Sequence, residues 1–238
     1  MRTVIFDIET IGEEYSAMDK STQELITASL KKSAYSDEEY ESELEMLKDG
    51  LGFSPLTGEI VAIGVHDLEL EKGVVYFNPG KGKAETVTEG AYTLKPMSEK
   101  EMLQAFWDGL KKYDTIVGFN SRSFDGPFLM VRSLVHNVQP TKDILAGRYL
   151  YQQNRAGITH IDLMDQLSFY GASRFKGSSL HMYCRALGIE SPKVGGVTGD
   201  DVSGLFKAGK SLDIARYNTR DIKATAELYK RWASTIAF

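Results

Sequence analysis

The stretch Val4-Ile-Phe-Asp-Ile-Glu-Thr10 decides how the rest of the chain is read. Arg2 to Ile8 is apolar and β-branched, the composition of a strand. Residues two apart on a strand point to one face, so Asp7 and Glu9 bring two carboxylates to one point at its end. Buried side by side and unpaired, they would repel each other and be costly to desolvate; a cation is the economical explanation. A strand running out into solvent with acids at its frayed end is the alternative, and Asp-x-Glu alone does not choose between them.

Two later clusters pose the same choice. Asn120-Ser-Arg-Ser-Phe-Asp125-Gly-Pro127 follows a short buried strand, Thr115 to Phe119. In a strand-to-helix turn Asp125 either caps a helix that has Pro127 in its first turn or serves a site. Asn120 is equally a turn residue, and Phe124 equally core. Tyr217-Asn-Thr-Arg-Asp221 lies in the predicted last helix, where i, i+4 spacing stacks the phenol over the carboxylate, as in many surface pairs.

Between these clusters the pattern alternates. Glu59 to His66 and Gly73 to Asn78 read as strands that form an antiparallel meander with the first. Ser98 to Tyr113 reads as a helix with Met102, Leu103, Phe106 and Leu110 on one face, and Thr159 to Leu163 as a fifth strand. Helical pattern dominates around 127–137, 163–170, 179–187 and 211–235, and Pro192 to Gly199 is a loop. The expectation is an α/β fold: a mixed five-stranded sheet, antiparallel meander first and parallel strands after, flanked by helices.

A chain of 238 residues with this balance reads as a single domain, 1–238, and is long enough to bury a core without disulfides or a structural metal. The lone Cys184 and four scattered histidines (His66, His136, His160, His181) form no zinc-ligand pattern, which excludes zinc enzymes and disulfide scaffolds. Asp7 interrupts the apolar stretch a signal peptide would need, and no apolar run approaches the ~18 residues of a membrane span, so a cytoplasmic protein without membrane contact is expected.

The net charge of −5 argues at first against a nucleic-acid partner. Its distribution reverses the inference. Between Glu13 and Asp49 stand eleven acids against four lysines, a charge of −7, which leaves +2 for the rest; from Lys142 onward the chain is +5. The acidic segment, about 12–52, reads as a helical insertion. Ser36 and Glu39 have capping-box spacing, Tyr40, Leu44, Leu47 and Leu51 form an apolar stripe, and Gly50 is placed as the residue past the helix end. Its acids form a solvated face or a docking face for a protein partner.

Taken together, Phe6-Asp-Ile-Glu-Thr10, Asn120-x-x-x-Phe-Asp125 and Tyr217-x-x-x-Asp221 resemble, in order and spacing, the DEDDy 3′–5′ exonucleases of the ribonuclease-H-like (DnaQ-like) superfamily. The nearest likeness is to the exonuclease domain of family B DNA polymerases. Phe53-Ser-Pro-Leu-Thr-Gly-Glu-Ile-Val-Ala-Ile-Gly, His160-Ile-Asp162-Leu, Ser179-Leu180 and Ala186-Leu-Gly extend the resemblance from Val4 to about Tyr229. No polymerase domain follows, so a free-standing exonuclease is expected. The segment from Ile11 to Leu51 is longer and more acidic than the family's link, and position 216 is Arg, so the tyrosine branch fits and the histidine branch does not.

The resemblance implies two Mg²⁺ or Mn²⁺ ions on Asp7, Glu9, Asp125 and Asp221, with Asp7 bridging both, Glu9 and Asp221 completing the site of the attacking water and Asp125 holding the second ion through water. It implies that Tyr217, whose ordinary pKa near 10 suits hydrogen bonding, orients that water. The substrate it implies is a single-stranded DNA 3′ end, unstacked and releasing nucleoside 5′-monophosphates, with Thr10 and Ile11 near the terminal nucleotide and Asn120 and Phe124 on the next. Arg148, Arg155, Arg174, Lys176 and Arg220 are candidates for phosphates. RNA as substrate stays open, since nothing reads the 2′ hydroxyl. Outside this class, Val4 to Thr10 with Gly199-Asp200-Asp201 also resembles haloacid-dehalogenase-like phosphatases, but Glu9 stands where their second Asp belongs. A non-catalytic nucleic-acid-binding module would be expected to lose a ligand, and none is missing.

Overall fold

The computed structural model describes residues 1–153, 157–173, 178–193, 196 and 198–237. Strand β1 (Thr3–Gly12) is buried on both faces, as its apolar run predicts. It is followed by a short turn at Tyr15–Ala17 and three helices, α1 (Lys20–Thr27), α2 (Leu30–Ser33) and α3 (Asp37–Gly50). These form the acidic excursion. Asp19 caps α1 by accepting from the Thr22 amide, and Ser36 caps α3 by accepting from the Glu39 amide. Tyr40, Leu44 and Leu47 are half-buried and Leu51 is buried, while most of the acids of α3 face water.

Two details differ from the capping expectation. The Glu39 carboxylate accepts from the Tyr35 amide instead of that of Ser36. Gly50, at φ −79°, is not left-handed: α3 passes straight into a 3₁₀ turn at Leu51–Phe53, so no glycine stop is needed there. At the neck of the excursion the two chain segments touch. A Cβ on Gly12 would lie 2.6 Å from Leu51 Cβ, one on Gly52 would lie 2.9 Å from the Gly12 amide, and the Thr10 hydroxyl donates to the Gly52 carbonyl at 2.7 Å.

Next come β2 (Gly58–Asp67), β3 (Lys72–Phe77), β4 (Val87–Glu89), β5 (Tyr92–Pro96), α4 (Glu99–Leu110), β6 (Thr115–Gly118) and α5 (Asp125–Val135). The chain ends with β7 (Thr159–Asp162), α6 (Leu163–Leu167), α7 (Leu180–Leu187), α8 (Val202–Lys207) and the long α9 (Ser211–Thr235). The sheet order is β4-β5-β3-β2-β1-β6-β7. β1, β2 and β3 form the expected antiparallel meander, and β6 and β7 run parallel to β1. The sheet has seven strands where five were expected: the hairpin of β4 and β5 adds the other two, β5 lying parallel to β3. Only Tyr92 and Leu94 of that hairpin are buried, too few apolar positions to signal a strand.

Each face of the sheet has its own core. Val4, Phe6 and Ile8 pack with Met102, Leu103, Phe106 and Trp107 of α4 and Phe128 of α5. Ile5 and Val75 pack on the other face with Ile214, Ile222 and Leu228 of α9. The pleat of β1 therefore turns Asp7 and Glu9 toward α9. Among the described residues no helix is long and apolar enough to cross a membrane.

Candidate active site

Asp7 sits opposite Gly64 of β2, and Glu9 opposite Ala62, just before an irregularity in the ladder between Glu9 and Thr10. The two small residues make room for α9 to lie low across the strands. A Cβ on Gly64 would fall 1.9 Å from Asn218 Oδ1, so this approach requires glycine. Asn218 is fully buried there and donates through Nδ2 to Asp7 Oδ2 at 2.7 Å and to Glu9 Oε1 at 3.4 Å. One turn of α9 then carries Tyr217 and Asp221 to the same place, both buried.

One carboxylate oxygen from each of Asp7, Glu9 and Asp221 lies within 4.8 Å of the others. Burial, then mutual repulsion, holds Asp7 and Glu9 well above the ordinary carboxylate range. Burial likewise pushes Asp221 up to about 7, against the lowering pull of the Tyr217 phenol. Among the described residues no salt bridge reaches any of the three, and Asp221 Oδ2 is buried without a hydrogen-bond partner. Arg220 and Lys193 lower Asp221 only from beyond ion-pair distance, and burial still outweighs them, so three hard oxygen donors without a direct ion pair form a site for a divalent ion.

Asp125 approaches from the other side of β1. It is the first residue of α5, and its side chain does not cap that helix. Its Oδ1 accepts from the Ile8 amide at 3.0 Å, tying the helix to the strand beside Asp7. Burial raises Asp125 to about 7, and Asp125 in turn raises Asp7. Asp125 thus adjoins the three-oxygen cluster without being one of its members.

With this geometry in place, residues 76–236 match the family described as predicted 3′–5′ exonucleases related to the exonuclease domain of PolB. The chain belongs to this family of 3′–5′ exonucleases. Exonucleases of this kind use divalent metal ions, for which the carboxylate cluster is the fitting donor set. An uncharacterized protein of Methanocaldococcus jannaschii is 29% identical over 188 residues, 75% of this chain and 88% of its own. The fold is similar to part of the family B DNA polymerase of Pyrobaculum calidifontis, with a TM-score of 0.61 and 17% identity over 98% of this exonuclease. The exonuclease corresponds to 24% of that polymerase chain.

The remaining predicted site residues surround the carboxylates unevenly. Thr10 is half-buried with its hydroxyl committed to Gly52, and Ile11 is packed into the core below α9. Asn120 is exposed in a left-handed turn at φ +59°, its amide held by Asp162 Oδ1 at 2.8 Å. Phe124 is half-buried between Phe128 and Phe53, the latter contributed by the end of the acidic excursion. Asp200 and Asp201 lie exposed in a 3₁₀ turn at Gly199–Asp201, with Asp201 accepting from Thr198, and take no part in the exonuclease cluster. Of the cations considered for phosphates, Arg148 pairs with Asp165, and Arg220 donates to the Pro192 carbonyl and lies over the Tyr217 ring. Arg155, Arg174 and Lys176 lie outside the described residues, as does part of the Pro192 to Gly199 loop.

Asn218 and Gly64 were not singled out from the sequence. Asn218 stands inside Tyr217-Asn-Thr-Arg-Asp221, but its value depends on a glycine more than 150 positions away, which no local pattern announces.

Proposed function

We propose that residues 1–238 act as one DEDDy-type exonuclease domain that removes nucleoside 5′-monophosphates from single-stranded DNA 3′ ends, using two Mg²⁺ or Mn²⁺ ions. The observation that carries this reading is the cluster of Asp7, Glu9 and Asp221 oxygens within 4.8 Å, which no described side chain engages in a salt bridge. Asp7, Glu9 and Asp221 would hold the ions directly, and Asp125, already engaged by the Ile8 amide, would do so through water. Divalent ions in that position supply a water of lowered pKa and offset the charge that gathers on the phosphate and the departing 3′ oxygen.

The chain's own groups do the positioning. Asn218 fixes the rotamers of Asp7 and Glu9 with a neutral donor, so it orders the pair without cancelling the charge an ion would meet. Tyr217 keeps its proton, because burial and the neighbouring carboxylates raise its pKa above the ordinary phenol value. It orients the attacking water by hydrogen bonding and cannot serve as the base at neutral pH. Thr10 and Ile11 flank the terminal nucleotide at the end of β1, and the exposed Asn120 and the Phe124 ring meet the next one. A base reaches this depth only when unstacked, which favours single-stranded ends. Kinship with a DNA polymerase exonuclease domain favours DNA over RNA.

The test is incubation of 3′- and 5′-labelled single strands of DNA and RNA with Mn²⁺. Mononucleotides released from the 3′ end of DNA are expected. Preferential cleavage of RNA would reassign the substrate, and binding without products would make the chain a non-catalytic module. Asp7→Ala is expected to lose at least about 1,000-fold in rate, roughly 4 kcal/mol of barrier, with its circular dichroism unchanged; substantial residual cleavage would sink the metal-site assignment.

A further inference from the structure

Beyond the carboxylates, the described surface carries a group of aromatic rings for which folding gives no reason. Tyr149 and Tyr151, in the connection between α5 and β7, stack with centroids 5.8 Å apart and planes 12° from parallel. Tyr170, in the turn after α6, packs on Tyr149 at 4.7 Å. Tyr151 is 72% exposed and Tyr149 39%, and Phe169, next to Tyr170 in the chain, is 55% exposed. Large rings normally go to cores or interfaces, and a cluster of them facing water marks a contact surface.

The backbone holds this arrangement at a cost. Phe169 (φ +51°) and Tyr170 (φ +56°) stand consecutively in the left-handed region, which bulky residues rarely enter. Their turn is fastened by the Tyr170 amide on the Asp165 carbonyl at 2.7 Å, by the Gly171 amide on the Ser168 carbonyl at 3.1 Å, and by Gln166 Nε2 on the Tyr170 hydroxyl at 2.8 Å. A helix expected to continue to residue 170 stops at Leu167 because of this turn.

The cluster is also joined to the catalytic edge. β6 and β7 are parallel to β1, so their C-terminal ends open on the side to which β1 delivers Asp7 and Glu9. There the Asp162 carboxylate accepts from the amides of Asn120, Arg122 and Met164, linking the Asn120–Asp125 turn to α6. Arg122 donates onward to the carbonyls of Ile144 and Leu145, shortly before Tyr149, and Arg148 closes the unit on Asp165 at 2.6 Å.

We propose that Tyr149, Tyr151, Phe169 and Tyr170 form a stacking platform for the single-stranded nucleic acid lying 5′ of the nucleotides in the active site. The proposal rests on the exonuclease reading for the direction of the strand. Single-stranded nucleic acid is the fitting occupant because every base offers a π-face, and aromatic platforms grip strands independently of sequence. This end of the chain, +5 from Lys142 onward, also carries the charge that suits a polyanion. Arg148 is already neutralised by Asp165, so the platform's contribution is stacking and adds little salt dependence.

The test compares wild type with a Tyr151→Ala/Phe169→Gly double variant, glycine being chosen because it keeps the left-handed turn while deleting the ring. Oligodeoxynucleotides of roughly 3 and roughly 20 residues are used, below and above the span of one binding groove. For the long strand, KM and the Kd measured by fluorescence anisotropy in EDTA are expected to rise about tenfold. The expected slope of log Kd against log salt, kcat and the KM for the short strand are unchanged, and Tyr151→Trp is expected to retain tight binding. An unchanged KM on the long strand, or an equal loss on both lengths, overturns the platform. So does a variant that alters only self-association in sedimentation, which would make the patch a protein interface. If wild type cleaves nothing, the exonuclease reading fails by itself, and the anisotropy comparison still decides whether the rings bind the strand.

Discussion

At the scale of single residues, the site turns on how closely α9 approaches β2. Gly64→Ala would place a methyl group into Asn218 Oδ1 at 1.9 Å. Overpacking of this kind costs about 1–3 kcal/mol, and a lower Tm in differential scanning calorimetry is expected, together with reduced cleavage because Asn218 must leave Asp7 and Glu9. An unaltered Tm would mean that α9 moves freely and that the donor is not fixed. Tyr217→Phe is expected to slow turnover about 10- to 100-fold, the range of a lost hydrogen bond to a charged group, while Kd for the strand stays nearly constant. An unchanged kcat would remove the phenol from the mechanism. The acids of this site were legible in the sequence because Asp7 and Glu9 share a strand face and Tyr217 and Asp221 a helix face, both local periodicities. Asp125 was legible as a candidate but not in its geometry: it adjoins the three-oxygen cluster from outside, and its bond to the Ile8 amide joins residues 117 positions apart.

At the scale of elements, β7 is stapled to the Asn120–Asp125 turn through His160. Its Nδ1–H donates to the Ile144 carbonyl at 2.7 Å, leaving Nε2 to accept from the Ser121 hydroxyl at 2.8 Å. Burial lowers its pKa to about 4, below the unfolded value of 6.5. The neutral ring is therefore the native form, and its contribution is complete above pH 6.5 and is lost as pH falls toward 4. Between pH 7.5 and 5 the loss amounts to about 2 kcal/mol. Asp125 and Asp221, raised to about 7, act in the opposite sense, since the folded chain holds their protons more tightly than the unfolded chain does and their contribution grows as pH falls. The comparison that isolates the ring is urea denaturation of wild type and His160→Gln at both pH values: the gap between them is expected to narrow at pH 5, and a constant gap would refute the staple. The elements that escaped prediction did so for two different reasons. The β4–β5 hairpin is short and mostly exposed at the sheet edge, and the early end of α6 comes from left-handed Phe169 and Tyr170, residues with no intrinsic signal for a stop.

At the scale of the whole molecule, charge is divided between the acidic excursion and the body that carries the site. Replacing residues 13–50 by a short Gly-Ser turn would remove the segment's −7 and leave a body of +2. Association with single strands is expected to become about 10-fold faster at low ionic strength, with a difference that shrinks as salt is added; stopped-flow anisotropy would show it, and equal rates would mean the excursion does not fence the substrate. That such a variant can be contemplated follows from the neck, where Gly12, Leu51 and Gly52 are in contact. A loop whose ends already meet pays for extra length only logarithmically, about 0.6 kcal/mol for each doubling. The neck is therefore an insertion port: segments of very different length and charge can be carried at this point, three strand residues beyond Glu9, without changing where the carboxylates stand.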